Sequence, residues 1–251
     1  MLTERLARLL YPHGARRRVL RGPARGRVFV VAPGIGLSYA LGRAAVAPEI
    51  FTRYIQPGMC VFDVGANKGQ TTLIFASLVG PAGRVVAIEP APEEFASLAR
   101  NVELNHLSQV RALNAAAADD AGTRPFTYSA ARPTQGKLAD VERTYVIPDA
   151  ATIAVPAVTL DSLLASEPGP ALIKIDCEGA AAAVLRGARQ ILATSHPLIY
   201  LELHGPDEQA GARDELIARG YTAETLDGQP VADPTAGWHS PLVCRPASST
   251  R

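Results

Sequence analysis

The sequence predicts an α/β fold with a mostly parallel sheet and helices on both faces. Three observations carry this. Short apolar runs alternate with helix-period segments from residue 59 to 115, Gly and Pro punctuate the junctions, and the alternation resumes from 159 to about 226. Strand–helix–strand units of this kind are right-handed and lay their strands parallel. The 251 residues suffice for one large domain or two small ones. Read in order, they give a helical and basic appendage over 1–55 and one α/β domain over 56–251.

The N-terminus places Leu2, Leu6, Leu9 and Leu10 at helical spacing around Arg5 and Arg8. Charges inside the apolar pattern argue against a signal peptide. Arg16, Arg17, Arg18, Arg21, Arg25 and Arg27 follow, a charge run expected to form a solvated, mobile arm. Residues 27–31 read as a strand, Pro33–Gly36 as a turn and 45–57 as a short helix. Strands are expected at 59–64, 84–89 and 110–115, with helices at 69–79 and 92–104 between them. In the second helix Phe95, Leu98, Ala99 and Val102 share a face.

Residues 119–157 break the rhythm, with β-like runs at 125–129 and 153–158 around a polar stretch at 130–149. A loop of that length inside a compact domain is usually functional, so this β-rich insert is a candidate substrate lid. Helices are then expected at 159–166, 179–192 and 207–219, with strands at 171–175, 198–203, 221–226 and 241–244.

Composition narrows the function classes. The formal net charge is +1 and 47% of residues are hydrophobic. Disorder is excluded, and a dedicated nucleic-acid binder is not favoured. No run reaches the length of a membrane span. Cys60, Cys177 and Cys244 form no CxxC pair and read as reduced thiols in a cytoplasmic protein. Only Lys68, Lys137 and Lys174 of the 25 basic residues are lysine, a bias expected of a GC-rich bacterial coding sequence.

The chemistry is concentrated at three strand ends. The run 61–71, VFDVGANKGQT, leads from an apolar strand through a glycine turn into a helix. Gly65 and Gly69 permit a tight turn and a close ligand approach, and free N–H groups at the helix start favour an electronegative ligand. Asp63 at the strand's carboxyl end suits an ammonium group, such as the amino-acid end of S-adenosylmethionine (SAM). Glu89 ends the next strand, where an acidic residue accepts hydrogen bonds from ribose hydroxyls. An NAD-dependent oxidoreductase is the competing reading. It is not favoured, because Asn67 and Gln70 replace the second and third glycines of the dinucleotide fingerprint.

The run 172–180, LIKIDCEGA, brings Asp176 and Glu178 to a strand end, with Lys174 on the same face as Asp176. A lysine in an apolar strand needs a partner, so a structural Lys–Asp pair is the plain alternative to a site. The run 198–204, LIYLELH, ends on Glu202 and His204, which share a face. His204 suits a general base oriented by Glu202, with Asp176 as a second candidate. Asp176, Glu178, Glu202 and His204 are also donor types for a divalent metal. Their spacing is not diagnostic, and no metal ligand is assigned.

Together these motifs resemble the FkbM family of SAM-dependent methyltransferases. FDVGANKGQTT at 62–72, AIEPAPEEFASLARNVELN at 87–105, VTLDSLL at 158–164 and LIKIDCEGAAAAVLRGA at 172–188 carry the likeness, with LELH at 201–204 as a fifth segment. The resemblance implies a class I Rossmann-like fold, a mostly parallel seven-stranded sheet whose last strand is antiparallel. It implies that Asp63, Gly65, Ala66, Asn67, Gly69 and Glu89 bind the methionine and ribose parts of SAM. Asn114, Ala116 and Asp119 would border the adenine, and Asp176 and Glu178 would face the sulfonium and the acceptor. Ala181-Ala182 stands where members often carry a glutamate, and PTQGKLAD at 133–140 is a weak match.

The expected function is methyl transfer from SAM to a hydroxyl of a small metabolite, such as a sugar or polyketide. A non-catalytic SAM- or nucleoside-binding regulatory module is the alternative. A homo-oligomer joined through the N-terminal segment is a further expectation.

Overall fold

The computed structural model describes residues 10–32, 35–43, 48–129, 137–138, 149–231, 238 and 241–247. The expected N-terminal helix (but for Leu10), the Pro33-Gly34 pair and nearly all of the polar stretch 130–149 lie outside the described residues.

The chain enters through an antiparallel hairpin of β1 (Arg16–Arg18) and β2 (Val28–Val30), followed by short helices α1 (Leu37–Ala40) and α2 (Pro48–Tyr54). The alternating region comprises β3 (Cys60–Val64), α3 (Gln70–Val79), β4 (Arg84–Ile88), α4 (Pro92–Leu104) and β5 (Val110–Leu113). Four strands then form a separate small sheet: β6 (Ala116–Ala117), β7 (Gly122–Tyr128), β8 (Lys137–Leu138) and β9 (Ala151–Val158). A 3-10 turn (Asp161–Ala165) leads to β10 (Leu172–Ile175), α5 (Ala181–Arg186), α6 (Arg189–Thr194) and β11 (Leu198–Leu201). The chain closes with α7 (Pro206–Ile217), β12 (Tyr221–Thr225) and β13 (Leu242–Pro246).

The large sheet has seven strands in the order β12-β13-β11-β10-β3-β4-β5. β11, β10, β3, β4 and β5 pair in parallel, and β13 runs antiparallel between β11 and β12. The sheet is therefore mixed, with the last strand reversed as expected. Both faces are covered, which explains the continuous apolar runs of its central strands. Phe62, Ile173, Ile199 and Leu242 point into one layer, with α5, α6 and α7. Val61, Leu172, Tyr200 and Val243 point into the other.

That second layer is completed by the N-terminal segment. Phe29, Tyr39, Ile50 and Phe51 are buried there with Leu73 and Phe75. The Phe51 ring lies 4.8 Å from Phe75 and 5.1 Å from Tyr200. The arginine-rich stretch departs from the expected mobile arm. Its backbone pairs in β1 and Val19 is buried, while Arg16, Arg18, Arg21 and Arg25 remain exposed. Asn101 on α4 and Asn105 at its C-cap fix β2 by accepting the Val30 and Val28 N–H groups at 2.9 and 2.7 Å.

Two helix expectations are corrected. Residues 159–166 make a 3-10 turn, and 179–192 divides into α5 and α6 at Gly187-Ala188. Tertiary packing accounts for the break. A side chain on Gly187 would meet the Ala118 carbonyl at 2.0 Å, and the Asp161 carboxylate accepts the N–H groups of Gln190 and Ile191, both at 2.9 Å, at the start of α6.

Candidate active site

The carboxyl ends of β3, β4, β10 and β11 surround a cavity of about 390 Å³, closed on a further side by Phe126, Tyr128 and Leu138 of the small sheet. Sites for small molecules typically span about 300–1,000 Å³, and ligands of open α/β sheets bind at this edge.

One end of the cavity is built from backbone. Gly65, Asn67 and Gly69 all have positive φ, at 74°, 49° and 84°, and turn the chain from β3 into α3. A side chain at Gly65 would meet the Asp176 carbonyl at 1.8 Å, and one at Gly69 would meet Leu98 at 2.7 Å. The missing side chains at both glycines leave room for protein neighbours, and Gly65 also lines the cavity. The Glu89 carboxylate accepts the Asn67 N–H at 2.8 Å and the Ala91 N–H at 2.9 Å. Burial pushes its pKa up to about 7 against those two hydrogen bonds. Each of its oxygens keeps lone-pair capacity on the cavity wall.

The other end is built from charged side chains. Lys174 is buried within β10, with Nζ 3.2 Å from Asp176, 3.5 Å from Asp63 and 2.9 Å from the Gly65 carbonyl, to which it donates. Burial opposes its charge, but the Asp176 and Asp63 carboxylates outweigh burial and raise its pKa. Burial would raise Asp176, but Lys174 and His204 overcome it and hold the carboxyl at about 2. His204 Nε2 lies 2.9 Å from Asp176 Oδ1, and Nδ1 lies 4.0 Å from Glu178. The Asp176 hydrogen bond raises the imidazole pKa. Burial, reinforced by Asp176, raises Glu202. Asp176, Glu202 and His204 present ligand-type atoms within 4.8 Å of one another, a donor set a divalent cation accepts. Lys174 already supplies positive charge there.

Residues 63–223 match the model of one family, the methyltransferase FkbM domain. The chain belongs to that family. Among curated relatives, 31-O-demethyl-FK506 methyltransferase FkbM of Streptomyces tacrolimicus is 43% identical over 74 residues, 30% of this chain and 28% of that protein. A protein-L-isoaspartate O-methyltransferase of Triticum aestivum is 46% identical over 59 residues, 24% of this chain and 26% of that protein. These matches thus span about a quarter of each relative. The crystal structure of an FkbM methyltransferase from Methylobacillus flagellatus KT superposes with a TM-score of 0.49 at 16% identity, over 79% of this chain and 50% of that one.

In this FkbM-family chain nine of the residues named from the sequence line the cavity: Gly65, Ala66, Asn67, Glu89, Ala116, Asp176, Glu178, Glu202 and His204. Four expected residues do not line it. Asp63 is fully buried behind the wall, where it accepts the Thr72 hydroxyl at 2.6 Å and faces Lys174. Burial pushes its pKa up. Gly69 caps α3 beneath Leu98. Asn114 donates to the Glu89 and Pro90 carbonyls at 2.9 and 3.1 Å, supporting the turn that follows β4. Asp119 is exposed and pairs with Arg124 and Arg186 at 3.0 and 3.2 Å. His204 Nε2 hydrogen-bonds Asp176, whereas the sequence reading paired His204 with Glu202.

Sequence reading missed Glu208. Its buried carboxylate accepts the N–H groups of Gly179 and Ala181 through Oε1 at 2.9 and 3.1 Å, and that of His204 through Oε2 at 2.7 Å. It ties together the two loops that carry Glu178 and His204. The available signal was an acidic residue in the first turn of a helix starting at Pro206, ordinarily read as a response to the helix dipole. Lys68 was noticed only as part of a motif. It is buried at the cavity wall, 3.7 Å from Glu94.

Proposed function

We propose that this chain transfers a methyl group from SAM to a hydroxyl oxygen of a small metabolite. The observation that carries the reading is the division of one cavity into a backbone-built end with Glu89 and a charged end with the His204–Asp176 pair. Glu89 fits a ribose, because two N–H donors already hold its oxygens in place while leaving acceptor capacity. Gly65, Ala66, Asn67 and Ala116 would line the rest of the cofactor's path. SAM, when bound, supplies a methyl group already activated on a sulfonium. The protein then has to hold the acceptor oxygen in line and keep water out.

With His204 Nε2 engaged by Asp176, Nδ1 is the nitrogen left to take the acceptor's proton. Asp176 stabilises the imidazolium that results, and Lys174 keeps Asp176 ionised. Because the Asp176 bond raises His204 above the ordinary 6.5, the acid limb of turnover is expected above that pH. The carboxylates of Asp176, Glu178 and Glu202 around this end disfavour a carboxylate acceptor by like-charge repulsion and favour a neutral hydroxyl. Phe126, Tyr128 and Leu138 give the acceptor side an apolar wall, consistent with the insert acting as a lid.

The test is transfer from methyl-labelled SAM into sugar, polyol and polyketide acceptors, and into a metabolite extract. Base-stable labelled ethers are the expected product. Base-labile esters would replace the hydroxyl acceptor by a carboxyl one. SAM binding with no transfer to any acceptor would favour the regulatory module, and absence of SAM binding would defeat the reading.

A further inference from the structure

The net charge of +1 conceals a strong segregation. Residues 5–48 contain nine arginines and no Asp or Glu, which leaves 16 basic against 24 acidic residues in the rest of the chain. Charges of both signs are usually interspersed on a surface. In β1 exposed Arg16 and Arg18 share one face, opposite half-buried Arg17, and buried Val19 and exposed Leu20 follow directly. The Leu20 N–H donates to the Ala40 carbonyl, and Arg21 packs against Gly42. Leu41 and Arg43, also exposed, therefore adjoin Leu20 and Arg21.

Among the described residues, none of Arg16, Arg17, Arg18, Arg21, Arg25, Arg27 and Arg43 forms an ion pair with a carboxylate. Arg17 and Arg18 instead donate to the carbonyls of Leu10 and Gly26. The large hydrophobic side chains most exposed on the described surface are Leu10, Leu20, Leu41 and Ile217. Three of these four belong to this segment.

We infer that this N-terminal face is a peripheral docking surface for an anionic lipid bilayer. Unpaired guanidinium groups supply attraction to acidic headgroups. Leucines interleaved with them supply apolar area that can enter the headgroup boundary. Nucleic acid offers the same anionic chemistry, but single strands are held by exposed aromatic rings. The aromatic side chains of this segment are otherwise engaged: Phe29 and Tyr39 are buried, and Tyr11 lies under Arg17. Among the described residues no helix is long and apolar enough to cross a membrane, so the contact is a surface one.

The face is also connected to the cavity. The Tyr39 hydroxyl donates to the Gln70 carbonyl at 3.0 Å, and Asn101, which holds β2, donates to the Lys68 carbonyl at 2.8 Å. Gln70 and Lys68 both line the cavity, so docking would sit one hydrogen bond from the proposed cofactor turn. This inference concerns a different surface from the proposed methyl transfer and stands or falls separately.

The experiment is flotation of the full chain with phosphatidylcholine vesicles, with and without phosphatidylglycerol. Binding only to the anionic vesicles, reversed by raised salt, is expected. Arg16→Gln, Arg21→Gln and Arg25→Gln together should weaken it by roughly a hundredfold, at about fivefold per arginine. Leu20→Ser with Leu41→Ser should weaken it by about tenfold with the charge unchanged. An unchanged circular dichroism spectrum certifies that each variant is folded. Three results overturn the inference: no binding to anionic vesicles, full binding by the arginine variant, or full binding by the leucine variant. Polyuridylate that binds more tightly than the vesicles, with no loss in the leucine variant, would assign the face to RNA instead.

Discussion

The two ends of the cavity reach the same precision by opposite means. At the β3–β4 end, position is set by backbone: three residues with positive φ and a Glu89 carboxylate pinned by two N–H groups. At the β10–β11 end, it is set by a chain of charges, Asp63–Lys174–Asp176–His204, with Glu208 tying the loops from behind. Backbone architecture tolerates loss of one side chain. A charge chain does not, because the burial cost of Asp63 and Lys174 is met by each other and by half-buried Asp176.

That difference is most exposed by Lys174→Met, which leaves fully buried Asp63 and half-buried Asp176 without the cation between them. A stability loss of about 3–5 kcal/mol is expected, read as a lower urea midpoint with unchanged slope. Adding Asp63→Asn should restore part of it. A near-neutral Lys174→Met would mean that the charges at this end do not act as a chain.

Glu208→Ala should come next. It removes the acceptor of three backbone N–H groups, that of buried Ala181 and those of part-exposed Gly179 and His204, at about 1 kcal/mol for the buried one and less for the others, and should speed amide hydrogen exchange at Gly179, Ala181 and His204. Exchange unchanged at these three amides would show that Glu208 does not hold the two loops.

The smallest effect separates the ends by pH. Glu89 has a folded pKa of about 7 against an ordinary 4.5. The folded protein therefore binds this proton more tightly than the unfolded chain. Its contribution to stability is present below about 4.5 and is lost as pH rises through 7. SAM affinity should run the other way, because ribose hydroxyls donate to the ionised carboxylate. Between pH 8 and 6 affinity should fall by up to about tenfold, and Glu89→Gln should flatten that profile. Titration calorimetry across pH checks both, and a flat wild-type profile would remove Glu89 from the cofactor's contacts.

The same contrast explains what was legible in the sequence. The order of strands and helices could be read because hydrophobic period is local, and the place of Glu89 on the cavity wall because a strand end and its spacing from the glycine turn suffice. The direction of β13 came with the family resemblance. The partner of His204 could not be read. Glu202 shares its strand face, but the side chain that reaches it is Asp176, from the neighbouring strand. The glycines were legible as turns and illegible as packing sites, since the atoms that exclude a side chain at Gly65 belong to Asp176. The break between α5 and α6 depends on Ala118 and Asp161, which helical periodicity cannot report. The arginine run was legible as charge, but the hairpin that orders it depends on Asn101 of α4 and Asn105 at its C-cap.

The most direct test compares two single variants in paired assays, SAM titration by calorimetry and label transfer to an identified acceptor. Glu89→Ala should weaken SAM binding by at least about a hundredfold, the loss of two hydrogen bonds to a charged acceptor. His204→Ala should bind SAM within a few-fold of wild type while turnover drops by about 10²–10⁴. A His204→Ala enzyme with wild-type turnover, or a Glu89→Ala protein with wild-type SAM affinity, would contradict the division of the cavity into a cofactor end and a chemical end.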